Sequence, residues 1–392
     1  MKIIAPFLAL LCLSAGPAAA LRAAGASATT PQDTAASLAL QAARAKTLAA
    51  RGNEVAYHKH WDVGTFPHYV PGEPIHGVIR MWGSNYVGDG NLKRYWEEGF
   101  RRFQPGASFE YNLSTTILAV PALFTGAGDL GPSRRITFAE LLGYQRTFNC
   151  DPLEVSFATG SLNVPGWNPC FVIIVPKTNP LTQITMRQLD GIFGAERLGG
   201  WIGTAWHGEF ARGPEGNIRT WGQVGLTGAW ADQPIIPYGL NLRYHQATEV
   251  SDMILKGSDK WNEKLRIYAN FVGADGKLGR GLYDDLRKDP YGIAYVAGTK
   301  GLPDFVKILP IVVEDGGPAV KPTLETVHDR SYPLHDEVFF YANKLPGHGM
   351  DPKVREFLRY VLSQEGQLDI IRDGKYLPLT AEVEQAMLQR LN

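Results

Sequence analysis

Four histidines, His58, His60, His68 and His76, crowd one short segment, a density that could ligate a transition metal. They alternate with Pro, Gly and aromatic residues, show no helical i, i+4 pair and bring no clustered carboxylates. The segment is therefore expected to wrap the surface rather than hold an ion. His207 and Glu209 come nearest to an acid/base pair, inside a Gly-rich stretch from Gly199 to Gly216. Gly126-Ala-Gly-Asp-Leu-Gly formally matches a dinucleotide fingerprint, but strand, turn and helix do not frame it, and Asp129 within it would repel a pyrophosphate. The sequence contains no G-x-S-x-G elbow, no H-E-x-x-H helix and no Walker loop. Catalysis, a cofactor and a bound metal are not expected.

The chemistry that local order does support is anion capture. Val78-Ile-Arg-Met-Trp reads as a short strand, followed by a turn and a helix that places Leu92, Trp96, Phe100 and Phe103 on one face. Gly83-Ser84-Asn85-Tyr86 falls where the strand ends and the helix begins, so it presents unpaired N–H groups and the positive end of a helix dipole. Leu113 to Leu123 reads as a second helix, with Ser114-Thr115-Thr116 at its start.

Met1 to Ala20 has the form of a secretory signal, with Lys2 as the positive region, Ile3 to Leu13 as the apolar core and Ala18-Ala19-Ala20 as the cleavage site. Its apolar run is shorter than the ~20 residues a membrane span needs. Cys12 lacks the small residues of a lipid-attachment site before it. The product is expected to be periplasmic or secreted. In an oxidising compartment Cys150 and Cys170 read as a disulfide, worth ~3 kcal/mol in the chain-entropy model. Lys plus Arg equals Asp plus Glu at 39 each. No overall field favours nucleic acid, and any ion preference must be local.

Residues 21–74 are expected to form a lead-in, with one Ala-rich helix from Asp33 to Ala50 stopped at Gly52. Beyond Ile75, strand and helix signals alternate, which indicates an α/β architecture. Phe171-Val-Ile-Ile-Val-Pro is a continuous apolar strand, consistent with a buried crossover. Thr185 caps a short helix carrying Leu189, Ile192 and Phe193; Pro234-Ile-Ile-Pro-Tyr, Gly292-Ile-Ala-Tyr-Val and Val306 to Val313 are further strands. Asp351-Pro352 supplies an N-cap and an N1 proline for a helix that buries Phe357, Leu358, Val361 and Leu362.

Several pieces recur in a telling order: Gly83-Ser84 before the first helix, Gly128-Asp-Leu-Gly with Ser133-Arg134-Arg135, and Val172-Ile-Ile-Val-Pro with Asn179-Pro-Leu. Gln188-Leu-Asp-Gly-Ile-Phe, Tyr238-Gly and Gly292-Ile-Ala-Tyr-Val follow. Ser331-Tyr-Pro-Leu, Val338-Phe-Phe-Tyr-Ala and Gly374-Lys-Tyr-Leu-Pro-Leu close the series. From about Val78 to Leu379 the chain resembles the phosphate-type periplasmic solute-binding proteins of the type II fold. That resemblance implies two α/β lobes joined by crossover strands with a cleft between them. Lobe 1 would comprise residues 75–170 and 310–392, and lobe 2 residues 171–309.

The resemblance also implies an oxyanion held by hydroxyls and helix N-terminal N–H groups, beside one buried Asp and one Arg. Ser84, Asn85, Ser114 and Thr115 would supply first-lobe contacts. By position Asp129 matches the acid, and Ser133 with either Arg134 or Arg135 matches the Ser-Arg after it. A buried carboxylate accepts a hydrogen bond only from a ligand that keeps a proton, which favours phosphate over sulfate. The second lobe departs from the pattern: Tyr238-Gly-Leu-Asn-Leu-Arg-Tyr-His stands where Tyr-Gly-Arg-Asn-Ser-X-Ser-Gly is usual. Leu240 replaces the Arg, and Asn241, Arg243, Tyr244 and His245 are left as the candidates there. The expected function is capture of phosphate or a related oxyanion, as a monomer, for delivery to an ABC transporter permease. The alternative is a remodelled site serving a larger anion, a sensor or a secreted factor; a secreted phosphatase is the more distant one.

Overall fold

The computed structural model describes residues 54–243, 245–268 and 280–392. Met1 to Ala20, the Asp33–Ala50 helix and Tyr244 lie outside them. Among the described residues no helix is long and apolar enough to cross a membrane.

In chain order the strands are β1 (Gly77–Trp82), β2 (Ala107–Asn112), β3 (Leu130–Ser133), β4 (Leu153–Thr159), β5 (Phe171–Pro176), β6 (Ile184–Thr185), β7 (Gly200–Ile202) and β8 (Ala205–His207). β9 (Ile236–Leu240), β10 (Arg266–Tyr268), β11 (Gly292–Ala297), β12 (Val306–Ile308), β13 (Ile311–Val312), β14 (Ala319–Val320) and β15 (Glu337–Ala342) follow. The helices are α1 (Asn85–Asp89), α2 (Leu92–Phe103), α3 (Ala119–Phe124), α4 (Phe138–Phe148), α5 (Met186–Phe193), α6 (His245–Ile254), α7 (Arg280–Leu286), α8 (Leu324–His328), α9 (Pro352–Leu362), α10 (Gln364–Asp373) and α11 (Ala381–Arg390).

Two five-stranded sheets organise the chain, in orders β2-β1-β3-β15-β4 and β10-β9-β11-β5-β12. The first takes strands from both ends of the described chain and the second takes the middle, so the backbone leaves one lobe, builds another and returns. Each sheet has its own core: Ile79, Trp96, Phe157, Phe340 and Phe357 in the first, Ile173, Phe193, Trp221, Tyr238 and Tyr295 in the second. β5 is buried at all six positions, as a fully apolar run demands. The chain crosses between lobes at 160–170 and 329–336, where hydrogen bonds join the crossovers: Gly160 N donates to Asp336 O (2.8 Å) and Phe171 N to Leu334 O (2.9 Å).

Local chemistry explains where elements begin and end. Thr185 and Gln188 form a capping box on α5, and the Asp351 carboxylate accepts from Lys353 N (2.8 Å) at the start of α9. The strand expected from Val306 to Val313 instead divides at Pro310, which cannot donate to a ladder. Its second part, β13, pairs in parallel with β6, and Ile311 and Val327 enter the second core. The helix expected from Leu113 is also shorter, a 3-10 turn at Thr116–Leu118 leading into α3. Ser114 and Thr115 thus lie in the loop ahead of it.

Residues 54–76 wrap both lobes. Ala56 and Tyr57 N–H donate to Gly374 O (3.0 and 2.9 Å), Lys59 pairs with Glu325 (2.7 Å), and Trp61 stacks on His328 at 3.8 Å. Farther on, Val63, Phe66, Tyr69 and Ile75 enter the first core, while His68 binds Glu365 (2.8 Å). Among the described residues no group of three or more His, Cys, Asp or Glu side chains could hold a metal ion.

The expected disulfide is overturned: Cys150 and Cys170 are both free thiols. Cys170 is buried in the second core, whereas Cys150 packs against the Leu123–Tyr144 cluster of the first lobe, so the two sulfurs belong to different cores. Burial, reinforced by Asp336, pushes the Cys170 thiol up to about 12. Both cysteines should therefore react with a thiol reagent in denaturant without prior reduction. A mass shift on reduction would show a bridge instead.

Candidate functional site

β1 and β3 run parallel, with Met81 paired to Leu130, so their carboxyl ends emerge side by side. That end of an open α/β sheet is where ligands are bound. Gly83 follows β1 at φ +152, and a Cβ there would lie 2.2 Å from Pro132 O. Glycine permits this approach, and Ser84 N then donates to the same carbonyl at 2.7 Å. Ser84 is buried, but its N–H is committed, and α1 after it spans only five residues. The Asn85 amide turns to Asp89 (3.0 Å). Ser114 is exposed with its hydroxyl on Asn112 Oδ1 (3.2 Å), and Thr115 is an extended residue before the 3-10 turn. The Ser133 hydroxyl is buried and donates to Thr116 O (3.2 Å), which ties the two loops together.

Asp129 does not join them. It precedes β3, at the strand's amino end, and four residue steps of about 3.3 Å each separate it from Ser133. There its carboxylate is clamped by Arg80, with Nη2 at 2.6 Å, Nε at 3.1 Å and the Arg80 backbone N–H at 2.9 Å. Burial opposes its charge, but the Arg80 hydrogen bonds prevail and hold its carboxyl below the usual range. Asp129, expected as the acid beside the ligand, thus stands at the opposite end of β3 from Ser133 and the arginine pair: motif order located the strand, and strand direction carries this residue away from them.

The acids at the carboxyl end come from elsewhere. Arg134, 3% exposed, pairs with Glu140 (3.0 Å) and donates to Arg135 O (2.9 Å), while its Nε has no hydrogen-bond partner among the described residues. Arg135 reaches across the lobes, joining Glu154 of β4 (2.9 Å) to Asp252 of α6 (3.0 Å). Glu249, also on α6 and 2% exposed, has no partner for its Oε1 among the described residues. Asp336 immediately precedes β15, whose Phe339 pairs with Ser133, so it lies at the same end of the sheet as Arg134. It accepts from Asn168 (3.0 Å) and from Glu337 N (2.7 Å).

One guanidinium field links these groups. Burial, then the Asp336 charge, drives the Glu249 carboxyl well above the carboxylate range, against the pull of Arg134. Burial likewise raises Asp336, up to about 7, again opposed by Arg134. His245, the first residue of α6, is pushed down to about 3 by burial and then by Arg134. The chain therefore brings together Ser84, Ser133, Arg134, Arg135 and His245 near this end, and adds Glu249, Asp252 and Asp336. Asn241 makes a turn, accepting from Arg243 N (3.0 Å), and Arg243 is exposed. The missed residues did leave a trace: His245, Glu249 and Asp252 recur at i, i+4 and i+7, a polar face on a helix.

His207 and Glu209 lie 2.7 Å apart, with the Glu209 side chain 67% exposed. That exposed pair stands outside the constellation around Arg134.

The family model for the PBP superfamily domain matches residues 77–365. The phosphate-binding protein PstS of Pseudomonas aeruginosa is 28% identical over 330 residues, covering 83% of this chain and 90% of that protein. Among solved structures, PstS from Borrelia burgdorferi is 16% identical at a TM-score of 0.47, covering 78% of this chain and 99% of that one. An ABC-type phosphate transport receptor from Vibrio cholerae is 15% identical at a TM-score of 0.46, covering 76% and 99%.

Proposed function

This chain belongs to the PBP superfamily, and on that premise we propose that it binds phosphate, or an oxyanion of similar charge and protonation, between its lobes. It acts as an exported, non-catalytic monomer that delivers the anion to an ABC transporter permease. The lobes are residues 75–159 with 337–392, and residues 171–328. The observation that carries this reading is the pair of buried atoms without hydrogen-bond partners among the described residues, Arg134 Nε on the first lobe and Glu249 Oε1 on the second. A guanidinium donor suits the oxygens of the ligand, and an acid with an unpaired oxygen suits a ligand that keeps a proton, because that oxygen accepts a hydrogen bond that sulfate at neutral pH cannot supply. Arg134 donates to ligand oxygens, and Glu249 and Asp336 take the part first assigned to Asp129. Ser84 offers a hydroxyl nearby, while that of Ser133 is spent on Thr116 O.

Calorimetric titration at neutral pH tests this. Phosphate should bind and raise the melting midpoint by linkage, about 2.7 kcal/mol at a hundredfold excess over Kd, while sulfate does far less. Asp129→Asn should bind phosphate like the wild type and lose at most about 1 kcal/mol of stability, because Arg80 is partly solvated. Equal response to both anions, no response to either, or turnover of a generic phosphomonoester would overturn the reading.

A further inference from the structure

The Gly- and Trp-rich stretch between α5 and β9 has no part in the anion constellation, yet it is firmly built. Arg197 grips Asp190 through two bonds (2.6 and 2.8 Å) and donates to Phe210 O (2.9 Å). Arg212 donates to Ala195 O (2.7 Å), and Arg219 to Gly191 O (2.7 Å). From this base the β7–β8 hairpin projects, with Trp201 N bound to Lys256 O (2.9 Å) just past α6. Its turn passes Gly203 at φ +59, a conformation glycine adopts without strain.

The far side of the hairpin touches the other lobe. The Trp201 ring lies 5.1 Å from that of Phe138, on α4. Gln145 Nε2, two turns along the same helix, donates to Thr204 Oγ1 at 2.6 Å. A side chain at Gly203 would meet Leu141 at 3.9 Å. Neither crossover makes these contacts. They join a tip carried by the second lobe to a helix of the first, and they exist only while the lobes are together.

We propose that the β7–β8 hairpin is a latch for ligand retention, in which Trp201 and Thr204 seat on α4 and hold the lobes closed. The proposal rests on the reading that the anion is held between the lobes. Opening must break an aromatic contact and a hydrogen bond that closing forms late, so the latch acts on release more than on capture.

Two variants test it from opposite sides: the double change Trp201→Ala with Thr204→Ala, and Phe138→Ala, which leaves the hairpin intact and decides the matter if the first fails to fold. In phosphate-free buffer, small-angle scattering should give a larger radius of gyration for the variants than for the wild type. Stopped-flow measurement should show phosphate dissociating roughly three- to tenfold faster, with little change in association. Unchanged radius and unchanged dissociation would overturn the latch. If the wild type binds no phosphate, the anion reading falls, and the scattering comparison alone still decides the latch.

Discussion

Replacing Arg134 with methionine should destabilise the protein by about 3–5 kcal/mol and abolish phosphate binding. The side chain is 3% exposed and its ion pair with Glu140 spans 3.0 Å, so its removal leaves a shielded carboxylate without a counter-charge. Glu249 and Asp336 also lose a guanidinium that favours their charged forms. Urea denaturation measures the first effect and calorimetric titration the second. Arg134→Lys separates charge from geometry: the charge survives, but the planar fork that bonds Glu140 and leaves Nε for a ligand does not. A methionine variant that is folded and binds phosphate with unaltered affinity would move the site away from β3.

The second large effect is a change in how stability depends on pH. Glu249 has a folded-state pKa raised above its ordinary 4.5, first by burial and then by Asp336. Between those two values the folded protein keeps a proton that the unfolded chain has released, so stability falls as pH rises, by about 1.4 kcal/mol per unit. Glu249→Gln removes this titration. Relative to the wild type, the variant should gain stability as pH is raised from 5 to 8 and lose that gain as pH is lowered through 4.5. His245 works in the opposite sense: held down to about 3, it contributes stability above its ordinary 6.5 that is lost as pH falls toward 3. Comparing the two proteins by urea denaturation at pH 5 and pH 8 cancels His245 and reads Glu249 together with the part of the Asp336 titration that depends on it. A difference that stays constant, or shrinks toward pH 8, would mean that the Glu249 carboxyl is solvated.

Local order carried much of the fold. The apolar run at β5, the capping pair at Thr185 and Gln188 and the Asp351-Pro352 start of α9 are written in contiguous residues, and each element stands where its signals predict. Of the stripe on α2, Leu92, Trp96 and Phe100 are buried, while Phe103, the last residue of the helix, is 37% exposed. The site was harder to read because its partners are distant in sequence: Arg135 meets Asp252 across 117 positions. Asp129 shows the other limit. A motif establishes that a strand is present, whereas which of its two ends faces the ligand depends on the parallel pairing of β1 and β3, which spacing does not encode. Asp336 carried no local signal, since a polar residue before a strand is ordinary.

The wrapping segment has a mechanical consequence. Two flexible connections between rigid bodies permit them to bend and also to twist about the line joining them. The stretch of chain that runs from Gly374 to the Trp61–His328 stack is a third attachment, bound to the 160–170 crossover through the Tyr57 hydroxyl, which accepts from Leu162 N at 2.9 Å. A crossover thickened in this way resists twisting more than a single chain does, which favours the return of Arg134 and α6 to one alignment.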